Sequence, residues 1–290
     1  MEFTFDSFVD GSFDYDAKTS THTCLWLREE QMSISGGKIS VADIDKLKDY
    51  PKTDVVRISG LRQDTFEYFI QTYGNQFKAI SFFKNKLVED WSLLGTLPNV
   101  EYLSFFANQR INSLWDMSAN HSLTGLCIED FSRLSSIEGI QTAPALRDFR
   151  IGNAIWDTIT LDSLMPIANC RIERLWFYGK SITDNNVSFL ADMPDLKQFE
   201  FPTNMLSMEQ VAWIAANFPQ LEGYALNAKI DTELFDSALN NVPGVILVGK
   251  RKPSLVIKGN EKRIEKHIRA FEDLKKKYKD VPYKIAFPEQ

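Results

Sequence analysis

The stretch "LTGLCI", residues 123–128, has apolar side chains at its first, fourth and sixth positions. The same pattern recurs in "FKAISF" (77–82), "VEYLSF" (100–105), "LRDFRI" (146–151), "IERLWF" (172–177), "LKQFEF" (196–201) and "LEGYAL" (221–226). Weaker copies are "TDVVRI" (53–58) and "VILVGK" (245–250). Successive copies start 23 to 26 residues apart, which indicates a repeat architecture of about nine units.

Proline supplies a second periodic signal at the same spacing. It stands two residues before the first position in six of the nine copies: Pro51, Pro98, Pro144, Pro194, Pro219 and Pro243. Because proline cannot continue a helix and favours an extended residue before it, it suits a change from helix to strand. Each unit is therefore predicted to begin with a strand, with positions 1, 4 and 6 facing the core.

The units resemble the leucine-rich repeat, whose pattern is L-x-x-L-x-L-x-x-N-x-L, over residues 53–249. The ninth position is asparagine at Asn85, Asn108 and Asn204, whereas Phe131, Ala154 and Lys180 replace it elsewhere. The resemblance implies an α/β fold, a leucine-rich-repeat solenoid that winds as a right-handed β-α superhelix. A parallel β-sheet would then line the concave face, with helices and 3₁₀ turns on the convex face.

The segments between strands differ in helical character. Residues 207–219 open with a capping-box pattern, and apolar spacing also predicts helices in 63–74 and 231–243. The patterns in 85–122 and 131–145 are weaker and predict short 3₁₀ turns or irregular structure.

Both ends of the array need covering, because terminal repeats expose an apolar edge. Residues 1–52 are predicted to form an N-terminal cap, with a possible hairpin around Asp10–Gly11 and an atypical first repeat. That repeat would use a strand at 23–27 and a helix that begins after Ser40. Residues 250–290 are predicted to form a C-terminal cap with an amphipathic basic helix over 260–279.

Composition limits the class of protein. The chain has 290 residues, of which 44% are hydrophobic and 25% charged, and no apolar run reaches the roughly 18 residues of a transmembrane helix. The acidic N-terminus lacks the basic and apolar regions of a signal peptide. The three cysteines (Cys24, Cys127 and Cys170) lie far apart, in no metal-binding spacing. These features predict a cytoplasmic protein with reduced thiols.

Charge is distributed unevenly along the chain. Residues 250–290 carry thirteen Lys and Arg against six Asp and Glu, a balance of +7, so the overall −6 leaves −13 for residues 1–249. Binding of nucleic acid is therefore not expected for most of the chain, and only the basic tail could be drawn to an anionic surface.

The predicted strands point positions 3, 5 and 7 away from the core, onto the concave face. Neighbouring units stack about 5 Å apart, so equal positions should form rows across the sheet. Two partner-binding clusters are predicted: Phe83, Phe106 and Tyr102 in one, and Trp176, Tyr178, Arg150 and Arg174 in the other. Aromatic and arginine side chains of this kind dominate binding hot spots.

Other interpretations of these residues stay open. The rings could stack on each other as cross-strand pairs, or the terminal hairpin or a loop could cover them. The residues Arg147, Arg150 and Arg174 alternate with Asp148 and Glu173, which fits mutual salt bridges as well as binding of an acidic partner.

Taken with the resemblance, these patterns favour a non-enzymatic interaction module that binds a partner protein or peptide on the concave face. The acidic array suits a basic partner, as in an inhibitor or immunity-type protein. No catalytic residue, cofactor or metal site is predicted, since His22, His121 and His267 lie far from one another and from the cysteines. A monomer is favoured. The alternative is an adaptor that docks through its basic C-terminal helix to nucleic acid, a membrane or an enzyme.

Overall fold

The computed structural model describes residues 3–12, 24–28, 37–155, 159–235 and 240–288. Its helices are α1 (Phe5–Asp10), α2 (Val41–Ile44), α3 (Gln63–Tyr73), α4 (Met208–Asn217), α5 (Glu261–Tyr278) and α6 (Tyr283–Ala286). None of the helices in these ranges combines the length and the apolar composition that crossing a bilayer requires.

The main sheet has eight parallel strands, and seven of them come from consecutive repeat units. Its strands are β1 (Cys24–Leu27), β2 (Val55–Ser59), β3 (Ala79–Phe83), β4 (Tyr102–Asn108), β5 (Gly125–Phe131), β6 (Asp148–Gly152), β8 (Arg174–Tyr178) and β10 (Gln198–Glu200). They pair in chain order and position for position, so Leu126 lies beside Phe149, which lies beside Leu175. The repeat register predicted from the sequence is confirmed for these units.

The repeating apolar positions form one continuous core behind the sheet. Positions 4 and 6 of the seven units from 53 to 201 are between 0 and 2% exposed. Equivalent side chains stack on each other, as in the pair Phe82 and Phe105, whose ring centroids are 5.1 Å apart. Such lateral stacking lets each unit bury its apolar side against its neighbours.

The segments between strands match the prediction in most units. Helices α3 and α4 follow β2 and β10, and α4 has the predicted capping box between Ser207 and Gln210. Elsewhere the connections use short 3₁₀ helices, among them Ser92–Thr96, Ile140–Thr142, Met165–Ile167 and Ser188–Asp192. A small parallel pair, β7 (Thr160–Leu161) and β9 (Ser181–Ile182), joins two of these connections.

Asparagine at the ninth position satisfies buried backbone groups in two units. The Asn85 side chain donates to the Ile58 carbonyl and accepts from the Leu61 amide, at 3.0 and 2.9 Å. Asn108 donates to the Asn85 and Val88 carbonyls, at 2.9 and 3.0 Å. Asn204, by contrast, is exposed.

The first unit is confirmed as a strand followed by a helix. Strand β1 pairs with β2 and adds Trp26 beside Arg57. Helix α2 begins after Ser40, which forms a reciprocal capping box with Asp43.

The hairpin expected around Asp10–Gly11 is wrong. The residues before it form α1, whose N-cap Thr4 exchanges hydrogen bonds with Ser7. Gly11 ends the helix at φ +74°, a conformation that suits glycine. Phe5 and Phe8 are spaced for one side of a helix and are both buried, so tertiary packing selects the helix over the alternating strand pattern.

The helix expected in 231–243 is also wrong. The strand that follows it is observed, but it does not join the parallel sheet of the array. Strand β11 (Lys229–Phe235) pairs antiparallel with β12 (Asn241–Leu247), and β12 pairs with β13 (Ser254–Val256) in a separate three-stranded sheet. The main sheet ends in a single bridge between Gln198 and Glu222. Exposure along β11 alternates with period two, which is the pattern of a strand.

The amphipathic C-terminal helix is confirmed as α5. It buries Ile264, His267, Phe271 and Tyr278, whereas most of its lysines are exposed. The chain beyond it packs on α4, where the Trp213 indole donates to the Val281 carbonyl at 2.7 Å. The division of the chain at residues 52 and 249 stays a prediction.

Candidate protein-interaction surface

The sheet side opposite the core, here called the front face, consists of positions 3, 5 and 7 of the strands. The observed register produces the predicted rows. Position 5 reads Arg57, Ser81, Ser104, Cys127, Arg150, Trp176 and Glu200, and position 7 reads Ser59, Phe83, Phe106, Glu129, Gly152 and Tyr178.

Helix α1 covers part of this face. Phe5 and Phe8 form a small apolar cluster with Val55, Ala79 and Cys127, which lie on three of the strands. Tyr102 of a fourth strand lies at the edge of this cluster. The ring of Phe5 lies against Gly125, where an added Cβ would come within 2.3 Å of it. The helix therefore lies across the position 3 row and over Cys127 of the position 5 row, whereas Phe83, Phe106 and Tyr178 of the position 7 row stay half-buried.

Tyr102 does not join Phe83 and Phe106 as predicted. Its ring lies 5.5 Å from the rings of Phe3 and Phe5 and 5.9 Å from that of Phe8, centroid to centroid. Helix α1 packs on the Tyr102 ring through Phe5 and Phe8. For this one residue, the interpretation that a terminal segment covers the aromatic side chains is the correct one.

Charged contacts fix the other side of α1. The Asp6 carboxylate pairs with Arg150 and with Arg174, the latter at 2.9 Å, and Arg174 also donates to Asp148 at 2.8 Å. Burial alone would raise the pKa of Asp6, but hydrogen bonds from Arg174 and Arg150 outweigh burial and lower it. For Asp148 burial dominates, and its pKa is raised despite the Arg174 contact.

The arginine cluster is thus satisfied largely within the chain. Besides the pairs made by Asp6, Arg147 lies 3.7 Å from Glu173. Of the two open interpretations, internal salt bridging is the one that the contacts support. The Cys127 thiol is fully buried beneath α1, and this burial raises its pKa well above the ordinary value.

A partly exposed aromatic cluster lies at the N-terminal end of the front face. This N-terminal patch consists of Trp26, Phe83 and Phe106. Phe83 and Phe106 stack at 5.1 Å, and Trp26 meets Phe83 edge-on at 6.4 Å. Trp26 is 46% exposed.

Cationic side chains surround the N-terminal patch. The Arg57 guanidinium lies 5.4 Å from the Trp26 ring centroid, and the Lys84 ammonium lies 5.1 Å from that of Phe83. Sequence reasoning missed Trp26 as a site residue, although its place at position 5 of the first unit was a usable signal.

The C-terminal patch consists of Trp176 and Tyr178 with Arg150. The two rings meet edge-on at 6.1 Å, and the Arg150 guanidinium lies 4.4 Å from the Trp176 ring centroid and 5.0 Å from that of Phe5. All three patch residues are half-buried. Burial is the main cause that raises the pKa of Tyr178, and its contact with Tyr224 adds to it.

Between the patches, Glu129 is a half-buried carboxylate in the position 7 row. Burial raises its pKa, the nearby charge of Asp130 adds to the shift, and Arg150 opposes it. Among the residues that the structure describes, none donates a hydrogen bond to it. The described ranges hold no group of three His, Cys, Asp or Glu side chains placed to share a metal ion, and His22 lies outside them.

Neither a model of a known protein family nor a protein of curated description matches this chain. Among solved structures, one similar chain is an internalin, InlF, from Listeria monocytogenes, with 16% sequence identity and a TM-score of 0.35. The match covers 61% of this chain and 55% of the internalin, so the chain spans about half of that protein's length.

Proposed function

We propose that the protein is a leucine-rich-repeat solenoid and a non-enzymatic interaction module that binds a partner protein through its front face. The observation that supports this best is the pair of aromatic patches at registered positions of neighbouring strands, which stay partly exposed beside α1. Phe83, Phe106, Trp176 and Tyr178 are the predicted contact residues, with Trp26 added.

Arg150 and Arg174 belong to this surface in a supporting role. Both are held by Asp6, and Arg150 packs on the Trp176 ring, so they fix the patch instead of offering free charges. Tyr102 lies under α1 and is proposed to position that helix. Rings held in place by such contacts lose little conformational freedom when a partner binds, which favours affinity.

The acidic balance of residues 1–249 supports a basic partner, and an inhibitor or immunity-type role fits that charge. The alternative, an adaptor that docks through α5, has less support. Helix α5 uses its apolar side on the body of the protein, and several of its charges pair within the helix, as Arg269 does with Glu265.

The test is capture of a stoichiometric partner by the full chain. Replacing Trp176 and Tyr178 by alanine should weaken the complex by at least about 30-fold, which is the loss of about 2 kcal/mol expected of a hot spot. Phe235→Ala is the matched control, because that ring is 69% exposed but lies in the separate antiparallel sheet.

Circular dichroism must show that all variants keep the wild-type fold. Equal weakening by the control variant would contradict the proposal. Loss of the partner on reversing the exposed charges of Lys276 and Lys277, with the front-face variant still binding, would favour the adaptor instead.

A further inference from the structure

A cavity of about 190 Å³ opens at the C-terminal patch, beside the last turn of α1. It is lined by Val9 of α1 and by Glu129, Arg150, Trp176 and Tyr178 from three neighbouring strands. Pockets for cofactors and drug-sized ligands usually measure about 300–1,000 Å³. This cavity is smaller and has the size of one long amino-acid side chain.

Among the described residues around the cavity, the Glu129 carboxylate has no hydrogen-bonded or ion-paired partner. Asp6 binds Arg150 and Arg174, and Asp148 binds Arg174, whereas Glu129 is attracted by the charge of Arg150 but accepts no hydrogen bond from any described residue. Asp130 also lies near enough for its charge to act on Glu129, so the carboxyl groups around the cavity outnumber the two guanidiniums. A half-buried carboxylate without a donor is unfavourable, and an incoming cation would compensate it.

The side chains that line the cavity favour a cation of a particular shape. The Trp176 and Tyr178 rings and the Val9 side chain offer an apolar, partly aromatic surface to an aliphatic stem, while Glu129 offers an acceptor for a charged end. Lysine and arginine side chains have this construction, with an apolar stem and a cationic head. An anionic group is disfavoured, because the guanidinium that it would need is already paired with Asp6.

We propose that this cavity receives a lysine or arginine side chain of the partner, with its charged end at Glu129 and its stem against Trp176 and Tyr178. The proposal rests on the proposed function, since it names the anchor by which the partner is held. It also specifies the chemistry of the partner surface: one protruding basic side chain rather than a diffuse positive patch.

The probes are blocked single amino acids, namely the N-acetyl, N-methylamide derivatives of lysine, arginine, norleucine and glutamate. Norleucine keeps the aliphatic stem of lysine without its charge. The full-length isotope-labelled chain is titrated while the indole N–H signal of Trp176, identified by its loss in Trp176→Phe, is followed by NMR. A single side chain should bind with Kd on the order of 1–10 mM.

The expected result is a saturable shift with the lysine or arginine probe and at least tenfold weaker binding of norleucine and glutamate. Glu129→Gln should abolish the preference for the cationic probes, whereas Glu101→Gln, at the residue before β4 and beside Lys78, should leave it unchanged. Comparison of the lysine and arginine titrations shows whether the cavity prefers an ammonium or a guanidinium group.

No shift with either cationic probe up to about 50 mM would overturn the proposal. So would an equal shift with norleucine, or an unchanged preference in Glu129→Gln. These failures are distinguishable from failure of the proposed function. Partner capture that still depends on Trp176 and Tyr178 would keep the interaction surface and remove only the basic anchor.

Discussion

Docking of α1 can be tested through the contact between Phe5 and Gly125. A Cβ on Gly125 would lie 2.3 to 2.7 Å from three atoms of the Phe5 ring, well inside van der Waals contact. The backbone of Gly125 is ordinary strand, so the ring supplies the obstacle. Gly125→Ala should therefore lower the free energy of unfolding by about 1–3 kcal/mol, the usual cost of overpacking.

Truncation of the Phe5 ring is the second variant of this test. Phe5 is 3% exposed, and Phe5→Ala should cost about 3 kcal/mol, the lower end for such a truncation, because α1 is a short helix at the surface. In the double variant, the methyl group added at residue 125 occupies space that the Phe5 ring has left. The stability of the double variant should therefore equal that of Phe5→Ala within about 0.5 kcal/mol.

The assay is urea unfolding, followed by tryptophan fluorescence and circular dichroism with coincident transitions. A coupling of about 1–3 kcal/mol between the two sites is expected. Simple additivity, in which the double variant loses the sum of the two single effects, would refute the docking of α1 on the front face.

Three further predictions concern the core, the buried amides and pH. Phe105→Ala should lower the free energy of unfolding by about 3–5 kcal/mol in urea unfolding, because the ring is 1% exposed and stacks on Phe82. Asn108→Ala should lower the free energy of unfolding by at least about 2 kcal/mol, since four backbone groups lose their hydrogen-bond partner. In the same assay, replacing the exposed Asn204 by alanine should change it by no more than about 0.5 kcal/mol. Similar values for the two variants would contradict the role of the buried amide. The lowered pKa of Asp6 contributes stability above its unfolded pKa of about 3.9, which is lost as pH falls through the lower folded pKa. The protection factors of the α1 amides, which correct for the intrinsic exchange rate at each pH, should therefore fall in acid in the wild type. In Asp6→Asn they should be lower already at neutral pH, and identical pH profiles of the protection factors would contradict the contribution of Asp6.

The short elements show where reasoning from the sequence failed. A helix of six residues is not stable in isolation, so the local pattern of α1 did not decide between helix and hairpin. The contacts with Tyr102, Gly125 and Arg174 decide it, and they come from distant units. Strand β11 is similar, because its apolar residues fit either period until the pairing with β12 is known.

The candidate site likewise has features that the sequence predicts and features that only the tertiary structure decides. Its rows were predictable because equal positions of successive repeats become neighbours in a parallel sheet. The stacking of Phe83 on Phe106 follows from those rows and is observed. The observed contact of Trp176 with Tyr178 follows from strand alternation, because residues two apart lie on the same side. The loss of Tyr102 from the open surface and the cavity at Glu129 depend on where α1 docks.

The sequence by itself determined which side chains face the core and which face outward, because a strand alternates its sides and the repeat fixes the register. Only the tertiary structure decided what covers the outward side. The bond between Asp6 and Arg174 joins residues 168 positions apart, and no local period in a single chain specifies such a contact. Its stability comes from burial and charge pairing that exist only once both segments are folded together.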